Sequence, residues 1–117
     1  MPYMLVIHEP KGQRLERNEA QGRAVYERML RFGAELKSRG LLIAGESLAS
    51  QADAAWVQVR AGRAQVLDGP FAEAKEMVGG FFLVDCATRE EAIAIAGRCP
   101  AAEWATMEVR ALGPCFV

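Results

Sequence analysis

The sequence predicts an α+β domain built on one antiparallel sheet, and three observations carry that prediction. Short β-branched and apolar runs recur along the chain, two longer stretches between them show helical periodicity with capping residues, and one pair of strand-like runs doubles back near Gly62. At 117 residues the chain suits a single domain, residues 1–117, with a core that needs no disulfide to hold it.

Residues 3–8, YMLVIH, lie between Pro2 and Pro10 and read as a first strand, followed by the polar loop EPKGQRLER. Asn18 is placed to cap a helix with Gln21 three residues on, and Val25, Met29, Phe32 and Leu36 then follow along one face. That helix is expected to stop at Lys37-Ser38-Arg39-Gly40, where cations suit the carbonyl end of the dipole and glycine accepts a left-handed cap. Residues 41–48, LLIAGESL, form a second strand. The stretch AAWVQVRAGRAQVLDG alternates Val57 and Val59 with Gln58 and Arg60, turns near Gly62 and resumes at Gln65, which predicts a β-hairpin.

Gly79 and Gly80 lead into FFLVDC, a strand apolar on both parities. Thr88 and Glu91 make a capping box for a second helix carrying Ala92, Ile95 and Ala96, and Arg98 and Pro100 mark its end. A last strand, residues 105–112, sets Ala105, Met107, Val109 and Ala111 against Thr106, Glu108, Arg110 and Leu112. Strand, helix, strand, hairpin, strand, helix, strand, joined by right-handed crossovers, is the order of a ferredoxin-like sheet with two helices on one face and an added β-hairpin.

In such a sheet the first strand and FFLVDC are central, and the face away from the helices should read polar. Here it does not: Met4 and Val6 alternate with Tyr3, Leu5 and Ile7, and Phe81 and Leu83 with Phe82 and Val84. Both faces want cover. A second copy of the chain, packed sheet to sheet around a ligand cavity, is the expected cover; the alternative is the hairpin and C-terminal tail of the same chain.

Composition narrows the partners. Half of the residues are apolar (51%), a quarter are charged (25%) and the net charge is −1, so no nucleic-acid-binding field is expected. No apolar run approaches membrane-spanning length. MPYMLVIHEP has neither a basic segment before its apolar run nor a small-residue cleavage site after it, so it is not expected to act as a secretory signal. Cys86, Cys99 and Cys115 are odd in number and form no CxxC pair, which suits reduced thiols in cytoplasm. With His8 the only histidine, no metal site is expected.

The candidate site residues centre on LDGPFAEAKE. Asp68 and Gly69 suit a turn, Pro70 fixes its own φ and keeps Gly69 extended, and Phe71 inserts into the core. The same stretch gathers Asp68, Glu73, Lys75 and Glu76 in ten residues, where burial and a neighbouring lysine can separate carboxylate pKa values, so Asp68 is the first candidate base or anchor. Lys75, flanked by Glu73 and Glu76, suits an ion pair better than a nucleophile. His8, at the end of a central strand, and Glu46, after Gly45, complete the acid–base candidates. Glu46 and Arg110 are a candidate acid and cation on the covered sheet face, and a buried or rim ion pair between strands is their plainer reading. Cys86 and Cys99 read as small buried hydrophobes.

The pieces YMLVIHEP, GLLIAGE, DGPFAEAKE, GGFFLVD, TREEA, RCPAA and MEVR, in that order, resemble the DGPF subgroup of the YCII-related family over nearly the whole chain. The resemblance implies a dimeric α+β barrel, related in shape to muconolactone isomerases and small cofactor-independent monooxygenases. Some members are encoded beside extracytoplasmic-function sigma factors. Some YCII-related proteins carry a histidine on the first helix, proposed to work with an aspartate as a dyad; this chain has Tyr26, Glu27 and Arg28 there, and the dyad is not carried over. Two functions follow as expectations. One is a homodimer performing cofactor-independent isomerase- or lyase-like chemistry on a small organic molecule; the other is a non-enzymatic ligand-binding or regulatory module.

Overall fold

The computed structural model describes residues 1–117. Its strands are β1 (Pro2–Pro10), β2 (Leu42–Ser47), β3 (Ala55–Arg60), β4 (Arg63–Asp68), β5 (Glu76–Asp85) and β6 (Thr106–Ala111), and its helices are α1 (Glu19–Ser38) and α2 (Arg89–Arg98). Strands β2-β5-β1-β6 form one sheet with antiparallel neighbours, while β3 and β4 form a separate two-stranded ribbon. The architecture is α+β and consistent with a ferredoxin-like fold.

Local chemistry explains the element ends. Asn18 accepts from the Gln21 backbone N–H at 2.8 Å and the Gln21 side chain accepts from the Asn18 N–H at 3.0 Å, completing the capping box of α1. At the other end Gly40 takes φ +70°, and the N–H groups of Gly40 and Leu41 return to the carbonyls of Lys37 and Leu36, the paired bonds of a Schellman cap. For α2, Thr88 accepts from Glu91 as expected, but the Glu91 carboxylate reaches back to the N–H of Ala87, one residue before the cap. The hairpin turns on Ala61 and Gly62, both at positive φ, the twist that suits a two-residue connection.

Tyr3, Leu5, Ile7 and Glu9 of β1 are buried beneath the helices, and Met4, Val6 and His8 are half-buried on the opposite face. Leu5, Leu36 and Val84 are fully sequestered in the core, with Ile95 and Cys99 almost so. Phe32 of α1 meets Phe82 of β5 edge to face, ring centroids 5.3 Å apart. Gly45 lets that ring lie against β2, since a Cβ there would approach it to 2.9 Å.

Strand β5 begins at Glu76 rather than after the glycines, and the register of β1 against it slips between Ile7 and His8. Gly80 backs onto β2, where a Cβ would approach the Glu46 carbonyl oxygen to 2.7 Å. Strand pairing continues through the two glycines because only a residue without a side chain fits between these neighbours.

The hairpin does not cover the open sheet face. Every residue of β3 and β4 is exposed, including Val57, Val59, Val66 and Leu67. The radius of gyration is 16.0 Å, against roughly 13 Å expected for a compact chain of this length. The molecule is accordingly flat, 46 × 42 × 19 Å.

Candidate functional site

The main cleft lies on the helix side, between α1 and the β2, β5 and β1 portion of the sheet, with a volume of about 510 Å³. Small-molecule sites occupy about 300–1,000 Å³. Its walls are largely apolar, with Val25, Tyr26, Met29 and Leu30 from α1 facing Phe82 and Trp104. Helix α1 makes this wall because its apolar stripe is longer than the surface it buries. Phe32 and Leu36 reach the core, whereas Tyr26 and Leu30 remain exposed on the same helix.

The polar floor is an ion pair. Glu9 continues the buried parity of β1 and is 6% exposed. Arg14, in the short 3₁₀ turn after β1, grips it as a fork: Nε donates to Oε2 at 3.0 Å and Nη2 to Oε1 at 2.7 Å. The Arg14 Nη1 donates to the Leu48 carbonyl at 2.8 Å. A carboxylate this buried needs such partners, because its desolvation is otherwise unpaid. Gly79 makes the room, since a Cβ at that position would overlap the Glu9 carboxylate. Arg17, Lys37, Glu46 and Ser47 stand around the same cleft.

The acid–base candidates read from the sequence divide among three places. Glu46 is exposed and lines the cleft. His8 lies on the other sheet face, its Nε2 2.7 Å from Glu108 Oε1, and Arg110 completes a small cluster with Nε 3.5 Å from Glu108 Oε2. Arg110 and Glu108 both belong to β6, so their contact runs along one strand and is not the ion pair between strands that was expected for Glu46 and Arg110. Asp68 is exposed at the end of β4, opposite Ala55, and its carboxylate holds no hydrogen bond or ion pair. No hydrogen bond links it with His8.

The Asp68-Gly69-Pro70-Phe71 loop is held by close backbone contacts. The Gly69 N–H donates to the Ala54 carbonyl at 2.7 Å, its α-carbon sits against the Gln51 carbonyl, and the Gly69–Pro70 peptide is cis. Phe71 is buried, but it stacks on Trp56 at 3.8 Å outside the main core cluster. Lys11 donates from Nζ to the Phe71 carbonyl at 2.6 Å, tying the loop to the end of β1. Lys75 forms no ion pair with Glu73 or Glu76, which are both exposed; its backbone carbonyl instead accepts from Lys11. Solvated charges at this spacing gain too little to hold one geometry.

Cys86 and Cys99 are buried and unpaired. Burial pushes both thiols above their ordinary value; the Glu91 carboxylate adds to the effect at Cys86, and backbone N–H groups of Ala101 and Ala102 oppose it at Cys99. Neither is an activated nucleophile.

Glu9 and Arg14 are the site residues that sequence reasoning missed. Both fell within the loop after the first strand. The signal was parity: residue 9 shares the face of Tyr3, Leu5 and Ile7, which marks it as an inward carboxylate in need of a cation.

No helix is long and apolar enough to cross a membrane. A 40-residue segment is 52% identical to Uncharacterized protein R00369 of Rhizobium meliloti (strain 1021), covering 34% of this chain and 32% of that protein. The match therefore spans about a third of that relative's length. The model of the YCII-related domain matches residues 1–115, nearly the full chain, and the protein belongs to the YCII-related family.

Proposed function

We propose that the protein binds a small organic molecule in the cleft between α1 and the sheet. The observation that carries this reading is the 510 Å³ apolar cleft floored by the buried Glu9–Arg14 fork. An apolar pocket with a few fixed polar groups is the usual form of a small-molecule site. Binding is favoured over acid–base catalysis because Asp68 and His8 lie outside the cleft lining and the Glu9 oxygens are both engaged by Arg14. Isomerase- or lyase-like chemistry keeps Glu46, an unpaired carboxylate on the cleft wall, as its base. Ligand-observed and protein-observed NMR with a fragment library tests the location. Shifts clustering at Tyr26, Met29, Ser47 and Trp104 are expected; shifts clustering at Met4, Val6 and Leu83 would move the site to the open sheet face.

The finer affiliation we propose is the DGPF subgroup, supported by Asp68-Gly69-Pro70-Phe71 and the tie from Lys11 to its loop. A non-enzymatic, regulatory use of the bound molecule fits this cleft. The proposed assembly is a homodimer forming an α+β barrel through the open sheet face. It is supported by the half-buried Met4, Val6, Phe81 and Leu83 and by the hairpin's failure to cover them. Three free thiols support a cytoplasmic setting.

A further inference from the structure

Trp104 carries two arginines, with the guanidinium carbons of Arg17 and Arg28 at 5.5 and 5.4 Å from its ring centroid. Arg28 is ion-paired with Glu103 at 2.5 Å and stands outside the cleft lining. Arg17 lines the cleft, is half-buried, and has no acidic partner; its side chain donates no hydrogen bond within the chain. The aromatic face holds this guanidinium in place and leaves its donor edge free.

The remaining charges of the cleft point the same way. Arg14 is committed to Glu9 and the Leu48 carbonyl. Lys37, a second lining cation, is also without an ion pair, and Glu46 is the lining carboxylate left over. Two free cations against one free anion, in a lining that also holds Tyr26, Phe82 and Trp104, give an apolar pocket whose unpaired charge is net positive.

We infer that the cleft takes an amphipathic carboxylate: an apolar, ring-sized body lies against Met29, Phe82 and Trp104, and its carboxylate docks on the free edge of Arg17. A planar guanidinium pairs with a carboxylate through two parallel hydrogen bonds, which fixes orientation as well as charge. The inference rests on the cleft being the binding site and goes beyond it by naming the ligand's charge and its anchor.

The test uses 1-naphthoate and its neutral isostere 1-naphthamide, titrated calorimetrically into the full chain. Wild-type protein is expected to prefer the carboxylate by about ten-fold, equivalent to about 1.4 kcal/mol, with the preference shrinking as salt is raised. Arg17→Gln removes the preference by weakening naphthoate alone, whereas Arg28→Gln keeps it. Gly22→Trp, at a lining position where a Cβ meets nothing within 4 Å, blocks both probes without lowering the melting temperature.

Equal affinity for the two probes in wild type, or an Arg17→Gln variant that still prefers naphthoate, overturns the anchor. If Gly22→Trp abolishes binding in that case, the cleft reading stands. Failure of both probes to bind at millimolar concentration, or binding that Gly22→Trp leaves unchanged, overturns the cleft reading and the anchor together.

Discussion

Gly79→Ala is the substitution that interrogates the floor of the cleft most directly. Its Cβ would overlap the Glu9 Oε1 and come within 2.8 Å of Cδ, so the carboxylate must swing away. The two hydrogen bonds of the fork, at 3.0 and 2.7 Å, are lost together. Charge-assisted bonds contribute roughly 1.5–3 kcal/mol each, and breaking a fully buried ion pair costs about 3–5 kcal/mol. The Arg14 side chain is 34% exposed and keeps the Leu48 carbonyl, so water recovers part of that cost. The expected loss is about 2–3 kcal/mol. In a Glu9→Ala background the new methyl meets little beyond the Arg14 Nη2, at 3.2 Å. There the same substitution should cost less than about 0.5 kcal/mol, because replacing a strand glycine recovers some backbone entropy. Urea unfolding of the four proteins, at one protein concentration so that any association is held fixed, gives the cycle. A coupling of about 2 kcal/mol is expected. Equal costs of Gly79→Ala with and without Glu9 would falsify the claim that this glycine exists to seat the ion pair.

Three other outcomes follow from the same geometry. Leu83→Glu places a charge at the centre of the open sheet face, half-buried in the single chain, and light scattering should report a dimer for wild type and a monomer for the variant; a wild-type monomer at micromolar concentration sinks the assembly. A colorimetric thiol reagent should titrate Cys115 alone in the native protein at pH 8 and all three cysteines in denaturant, since Cys86 and Cys99 are raised by burial; prompt native labelling of three thiols contradicts this. The same raised thiols fix the sign of a pH effect: the folded state holds protons that the unfolded state releases. Their contribution is therefore present below the unfolded thiol value, roughly pH 8.5, and is lost as pH rises toward the folded one. Double replacement of Cys86 and Cys99 by Ala should flatten that alkaline decline in urea titrations, and an unchanged slope would assign it elsewhere.

Much of the fold was legible because its signals are local. The Asn18–Gln21 box, the Lys37-to-Gly40 stop and the turn near Gly62 depend on residues a few positions apart, and each formed as the spacing implied. The site was less legible because it is assembled from distant segments. Glu9 and Arg14 are five residues apart, but the space they need comes from Gly79 and the wall from α1 and Trp104. Composition drew attention to Asp68, Glu73, Lys75 and Glu76, whereas charges clustered in sequence commonly indicate a solvated loop. Only strand parity distinguished the one buried carboxylate from these exposed ones.

The two glycines before FFLVDC connect these observations. Gly80 pairs with Ile7 and Val78 with His8, which leaves Gly79 as the extra residue of a bulge on β5. The extra residue reverses parity along the strand. Beyond it Phe82 and Val84 are buried in the core, and before it Met77 is buried on the face it shares with Glu9, with Val78 turned outward. Without the bulge, alternation carried back from Phe82 would bury Val78 and expose Met77. One inserted residue therefore keeps the buried side chains at both ends of β5 on one sheet face, and as glycine it leaves the space that the Glu9 carboxylate fills. The strand that completes the core and the pocket floor that holds Arg14 are consequences of the same local irregularity, which is why the polar floor lies at the bulge rather than at the conspicuous Asp-Gly-Pro-Phe turn.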